Sequence, residues 1–169
     1  MPFWKKLFII CIVLASGCGY RLVGKETHLP PGISSISIPT FVNQTLEPGI
    51  EIPFTQAFLR EFILDRRVKV VDRKESDSLL EGVIKSYNFY PVSFDRSGLA
   101  LEYQTTVLVD LTLKKQNGEI LWSEKNLTET SWYLTSSNVL FNEAGKDASL
   151  QEIGRLMAGR IRNRFFYNF

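Results

Sequence analysis

Chemistry in this chain starts with its thiols, of which there are two, Cys11 and Cys18. Cys18 directly follows Leu14-Ala15-Ser16-Gly17, at the end of a segment with basic Lys5 and Lys6 and an apolar run from Leu7 to Ala15. A basic start, an apolar stretch and small residues before a cut form a secretory signal. A cysteine placed immediately after the small residues makes it a lipoprotein-type signal, in which the Cys18 thiol receives the lipid anchor. The apolar run is far shorter than the roughly 18 residues a spanning helix needs. Residues 1–17 therefore read as a removed signal peptide, 18–32 as a lipidated tether and 33–169 as a single domain.

With Cys11 in the signal and Cys18 acylated, the mature domain keeps no thiol for a disulfide, a metal or a nucleophile. His28 is the single histidine. It lies in the irregular stretch His28-Leu29-Pro30-Pro31-Gly32, before the core begins, so a Ser-His-Asp arrangement has no partner to build on. Zinc requires a Cys/His cluster that this composition lacks, and neither a Walker loop nor G-x-G-x-x-G occurs. An enzyme is thus not expected, nor is any cofactor or metal.

Charge narrows the partners. The chain carries 20 Lys+Arg against 18 Asp+Glu; loss of Lys5 and Lys6 with the signal leaves 18 against 18. A near-neutral domain has no bulk field for gathering polyanions. Arg155, Arg160, Arg162 and Arg164 interleave with a C-terminal aromatic group, but the reading is a solvated helix face, and no nucleic-acid partner is expected. Arg96 is the more informative base. In Phe94-Asp95-Arg96-Ser97-Gly98 it occupies a hairpin tip beside an aromatic ring. A guanidinium fork pairs bidentately with phosphate while a neighbouring ring meets acyl chain, so Arg96 and Phe94 are candidates for contact with a phosphate-bearing amphiphile. A polar turn residue kept for solubility is the competing reading.

These residues are positioned by a simple order of elements. Ser34 to Pro39 alternates apolar and polar residues as a short strand ended by proline. After the turn Glu47-Pro48-Gly49, the residues Phe54, Phe58, Leu59, Phe62 and Ile63 form one stripe of a helix over about 51–66. Val68 to Asp72 is a second strand, and a meander of three follows: about Leu79 to Phe94, Leu101 to Lys114, and Glu119 to about Leu134. In the middle member Leu101, Tyr103, Thr105, Val107, Val109, Leu111 and Leu113 share one face, so one side is buried and the other wet. Asn117-Gly118 is a hairpin turn in which both residues are expected at positive φ. Leu150, Ile153, Leu156/Met157, Ile161 and Phe165 stripe a closing helix. The expected fold is α+β: a two-layer sandwich with two helices on one face of a mostly antiparallel sheet of about four to five strands.

In this order the chain resembles the lipopolysaccharide-assembly lipoprotein family, LptE. The likeness is carried by Cys18-Gly19-Tyr20-Arg21-Leu22-Val23-Gly24 at the lipidation site, by the first helix, by Arg96-Ser97-Gly98 running into Glu102-Tyr103, and by the amphipathic closing helix. The resemblance implies a non-catalytic outer-membrane lipoprotein. Such a protein plugs the lumen of a β-barrel lipopolysaccharide translocon subunit (LptD-like), supports its assembly and contacts lipopolysaccharide in transit. It also implies that the family's loop-tip arginine falls on Arg96. The family's second basic contact falls near Asn142 and Glu143, where Lys146 is the nearest lysine. Gly19 in place of an aspartate after the anchor favours export to the outer membrane, with the domain facing the periplasm or lying in the barrel lumen. Element order is equally compatible with an envelope lipoprotein that binds another amphiphile or serves a different transporter, because fold does not fix function.

Overall fold

A computed structural model describes residues 32–167. The signal, Cys18, the tether to Pro31 and His28 lie outside the described residues. Six strands and two helices follow one another: β1 (Ser35–Ser37), β2 (Val42–Asn43), α1 (Glu51–Asp65), β3 (Lys69–Val70), β4 (Ser78–Phe94), β5 (Ala100–Lys115), β6 (Ile120–Leu134) and α2 (Val139–Tyr167). The strands form one sheet in the order β3-β1-β4-β5-β6, with β2 also paired to β4. The expected α+β sandwich is therefore present. The meander is antiparallel, while β1, β2 and β3 pair in parallel and raise the strand number to six.

Both helices cover the same face. Phe54, Phe58 and Phe62 recur every fourth residue of α1 and are fully buried, so they stack along one line of the helix. They share a core with Leu150, Ile153, Met157, Ala158, Ile161 and Phe165 of α2 and with Val107, Val109, Leu111 and Leu113 of β5. Phe165 closes this core end, with its ring 5.7 Å from Phe62 and 4.8 Å from Trp122. Ile63, expected in the α1 stripe, is 57% exposed. It sits one position past Phe62, about 100° further round the helix, beyond the reach of the sheet. Leu156 likewise lies outside the α2 core face, which Met157 fills instead.

The alternation in β5 holds from Thr105 to Leu113, all buried at odd positions. Leu101 and Tyr103 continue the same parity but run past most of the helical cover and are not buried. In β4 the core-facing residues are even as far as Ile84, which pairs with Val109, and odd from Tyr87, which pairs with Val107. One extra residue at the register shift between Ile84 and Ser86 changes the parity, as a β-bulge does. A second bulge in β6 carries Asn126 at φ 58, with its amide donating to Asp110 Oδ1 at 2.8 Å. The turn at Asn117-Gly118 differs from the expected geometry: only Gly118 has positive φ. Gly118 N donates to Lys115 O, and Lys115 N to Glu119 O. This is a type I turn followed by a left-handed glycine, the common longer alternative to the two-residue turn.

Candidate functional site

The β4–β5 hairpin ends in a turn organised by Asp95. Its Oδ1 accepts from the Ser97 amide at 2.8 Å, the Ser97 hydroxyl at 2.6 Å and the Leu99 amide at 2.9 Å. Its backbone amide donates to Leu99 O, and Gly98 N donates back to Asp95 O. Gly98 supplies the positive φ, 85°, that closes the loop. These hydrogen bonds, the Ser97 hydroxyl first, hold the Asp95 carboxyl below the usual carboxylate range.

Arg96 is the residue this turn presents. It is exposed and forms no ion pair among the described residues. Phe94 on one side is 56% exposed and Leu99 on the other 67%. The tip is thus a cation between two uncovered apolar side chains on a backbone fixed by its own hydrogen bonds.

Beside the tip, Thr135 joins the end of β6 to the start of β5. Its amide donates to Leu101 O at 2.9 Å and its hydroxyl to Ala100 O at 2.7 Å. The following turn is clipped to α2, because Asn142 Oδ1 accepts from Ser136 N and Asn142 Nδ2 donates to Ser136 O. Asn138 caps the helix by accepting from the amides of Leu140 and Phe141. Between hairpin and turn lies an open cleft of about 600 Å³ lined by Asp95, Leu99, Leu101, Tyr103, Ser137 and Asn142, among others.

Phe94 and Arg96 therefore stand exposed on the same hairpin tip, whereas Lys146 belongs to a different surface. It lines the groove between the two helices with Glu47, Gly49, Pro53 and Gln151. Its Nζ lies 2.6 Å from Glu47 Oε1 and 3.5 Å from Glu143 Oε2. The Glu47 hydrogen bond raises its pKa above the ordinary lysine value. Asn142, four residues earlier on the same helix, is the residue that reaches the hairpin cleft.

The C-terminal arginines are spent on ion pairs. Arg155 meets Glu152 and Arg162 meets Glu61, at 2.6 and 2.7 Å, while Arg160 pairs with Glu129 and Arg164 with Glu124 of β6. Two of these four pairs bind α2 to the sheet. No group of three or more His, Cys, Asp or Glu side chains that could hold a metal ion occurs among the described residues. None of their helices is long and apolar enough to cross a membrane.

What the residue pattern did not single out is the apolar character of this whole end of the sheet. Phe89, Tyr90, Trp132, Leu134, Val139, Leu140 and Phe141 are all exposed. Phe89, Tyr103 and Tyr133 form a row of rings 5.9 and 5.7 Å apart. Phe89 and Leu101 keep the parity of the core and stay open because the helical cover stops short of them, whereas Tyr90, Trp132 and Leu134 lie on the opposite face of the sheet.

Comparison with known proteins places this arrangement. Similar folds occur in lipoprotein B from Nitrosomonas europaea (18% identity, 85% of this chain and 87% of that one, TM-score 0.52) and in a minor lipoprotein from Acinetobacter baumannii (11%, 80% and 92%, 0.52). A Caulobacter crescentus protein is also similar, at 11% identity over 75% of this chain and 87% of that one, with a TM-score of 0.55. At these identities the likeness concerns the fold alone. No curated protein sequence matches the chain. The family model for lipopolysaccharide assembly matches residues 33–165, which is the whole described domain but for its ends. The chain belongs to the LptE lipopolysaccharide-assembly family.

Proposed function

We propose that this protein is a non-catalytic lipoprotein of the outer membrane, anchored through Cys18, whose domain plugs and helps assemble the β-barrel lipopolysaccharide translocon. In this reading the hairpin tip contacts lipopolysaccharide on its way to the outer leaflet. The observation that carries the proposal is the family match over residues 33–165.

The hairpin geometry supports the finer part. Among the described residues Arg96 forms no ion pair, and exposed Phe94 and Leu99 flank it in the chain, so a phosphate can take the guanidinium fork while apolar chain meets the flanking side chains. Lys146 contributes little in this reading, since Glu47 and Glu143 already neutralise it. The wet face of the meander suits the polar interior of a large barrel.

Affinity purification of the lipidated protein from outer membranes is expected to recover a large β-barrel subunit. Its depletion is expected to reduce lipopolysaccharide at the cell surface. Intact surface lipopolysaccharide after depletion would overturn the reading.

A further inference from the structure

β6 ends the sheet on the side opposite β3, and the half of it beyond the Asn126 bulge has an open edge. From Leu127 to Leu134 it pairs with β5 in one unbroken register, Val109 opposite Leu127 and Glu102 opposite Leu134. Thr135 N donates to Leu101 O in that same register, so the odd residues of β6 turn their backbone groups toward β5. By the alternation of an antiparallel ladder, Thr128, Thr130, Trp132 and Leu134 turn theirs outward. None of these outward groups has a partner among the described residues. They repeat about every 6.8 Å, two residues of extended chain.

Natural sheets usually blunt such an edge with lysine, proline, a bulge or a covering loop. The proximal half of β6 has its bulge and Lys125. Residues 127–134 hold no proline, no base and a single acid, Glu129, which is paired with Arg160 on the helix side. On the open face, Trp132 and Leu134 alternate along the edge at 54% and 63% exposure. An uncharged, extended segment is what such an edge accepts, because backbone bonds supply affinity and alternate side chains supply fit.

The helix layer decides what can bring that segment. α2 lies mainly over β6, and Gly145 is close against the Tyr133 ring. Antiparallel pairing with a second copy would set two α2 helices side by side at about the 4.8 Å strand spacing, where packed helices need about 8–10 Å. The added strand must therefore come without a helix of its own above it. The wall of a closed barrel has no free edge either, which leaves a loop.

We propose that residues 127–134 of β6 take up an extended, uncharged loop segment of the barrel partner as a further strand of this sheet. The proposal rests on the plug reading above and adds the surface through which the plug is held.

The test uses the full-length lipidated protein purified with its barrel. Thr130→Pro removes one outward N–H and leaves the backbone bonds to β5, whereas Thr130→Val keeps the N–H and controls for the hydroxyl contact with Thr106 that both variants lose. Thr130→Pro is expected to lower barrel recovery about two- to tenfold, the worth of one backbone hydrogen bond, and Thr130→Val to leave it unchanged. A photo-crosslinker placed at Thr128 reads the same edge without the proline and is expected to join a loop of the barrel. Undiminished recovery with Thr130→Pro and no crosslink to the barrel overturns the edge while leaving the plug intact. A crosslink to a second copy also overturns it. Failure of the unmodified protein to recover any barrel defeats the plug reading and this proposal with it.

Discussion

The Phe41 ring lies directly over Gly82. A Cβ added to this glycine would sit 2.3 Å from Phe41 Cε2 and 2.6 Å from Cζ. Gly82 faces the core from the edge of β4 that β2 occupies, and the absence of a side chain lets the ring reach Phe58 of α1, 5.0 Å away. The Phe41 amide donates to Thr55 Oγ1 at 3.0 Å, and that hydroxyl donates to Glu51 O at 2.7 Å. The segment between β1 and α1 is thus fixed to both layers at one point.

Gly82→Ala is expected to destabilise the domain by about 1–3 kcal/mol, the usual cost of overpacking. Denaturant unfolding would show it as a lower midpoint at unchanged slope. Phe41→Leu in the same background should recover part of the loss, because the clash involves this one ring. Equal additive losses from the two changes would contradict the contact.

Asp77 ties β1 to the start of β4. Its Oδ2 accepts from the amides and hydroxyls of both Ser34 and Ser35, at 2.8 to 2.9 Å. These bonds, the Ser34 amide first, lower its pKa from 3.8 to about 2. A folded-state pKa depressed below the unfolded value gives stability that is complete above the unfolded pKa and lost as pH falls through the folded one. Thermal melts from pH 5 to 2 should therefore fall more steeply for the native sequence than for Asp77→Asn. Parallel curves would show that the carboxylate adds nothing to the latch.

Arg96→Glu is expected to leave the melting transition in place, within about 0.5 kcal/mol, because the side chain is exposed and forms no ion pair among the described residues. Binding to purified lipopolysaccharide should weaken. Asp95→Ala tests the scaffold separately: it keeps the arginine but removes the acceptor of the Ser97 and Leu99 amides. Faster hydrogen exchange at these two amides should accompany it, with a smaller loss of binding than Arg96→Glu. Unchanged binding in Arg96→Glu would reduce the residue to a turn former.

The sequence by itself determined the two-layer α+β fold, the helix stripes and the meander, because each rests on a local period. Phe54, Phe58 and Phe62 can share a helix face only at spacing four, and the odd residues of β5 can share a sheet face only at spacing two. Turn chemistry was equally local. Asp95 and Gly98 mark the hairpin tip that carries Arg96, and Gly118 marks the next turn.

Tertiary structure alone decided where those patterns stop. The bulge between Ile84 and Ser86 reverses the parity of β4 without any glycine or proline to announce it, since what it answers is the register of β5. Lys146 was only the lysine nearest the second basic contact that the resemblance implies, and the fold placed Glu47, 99 residues away, against it. Arg160 and Arg164 were a solvated face until Glu129 and Glu124 met them. The exposure of Phe89 and Leu101, which keep the parity of the core, has the same origin. How far α2 extends over the sheet is set by packing between residues distant in the chain, and no local period encodes that distance.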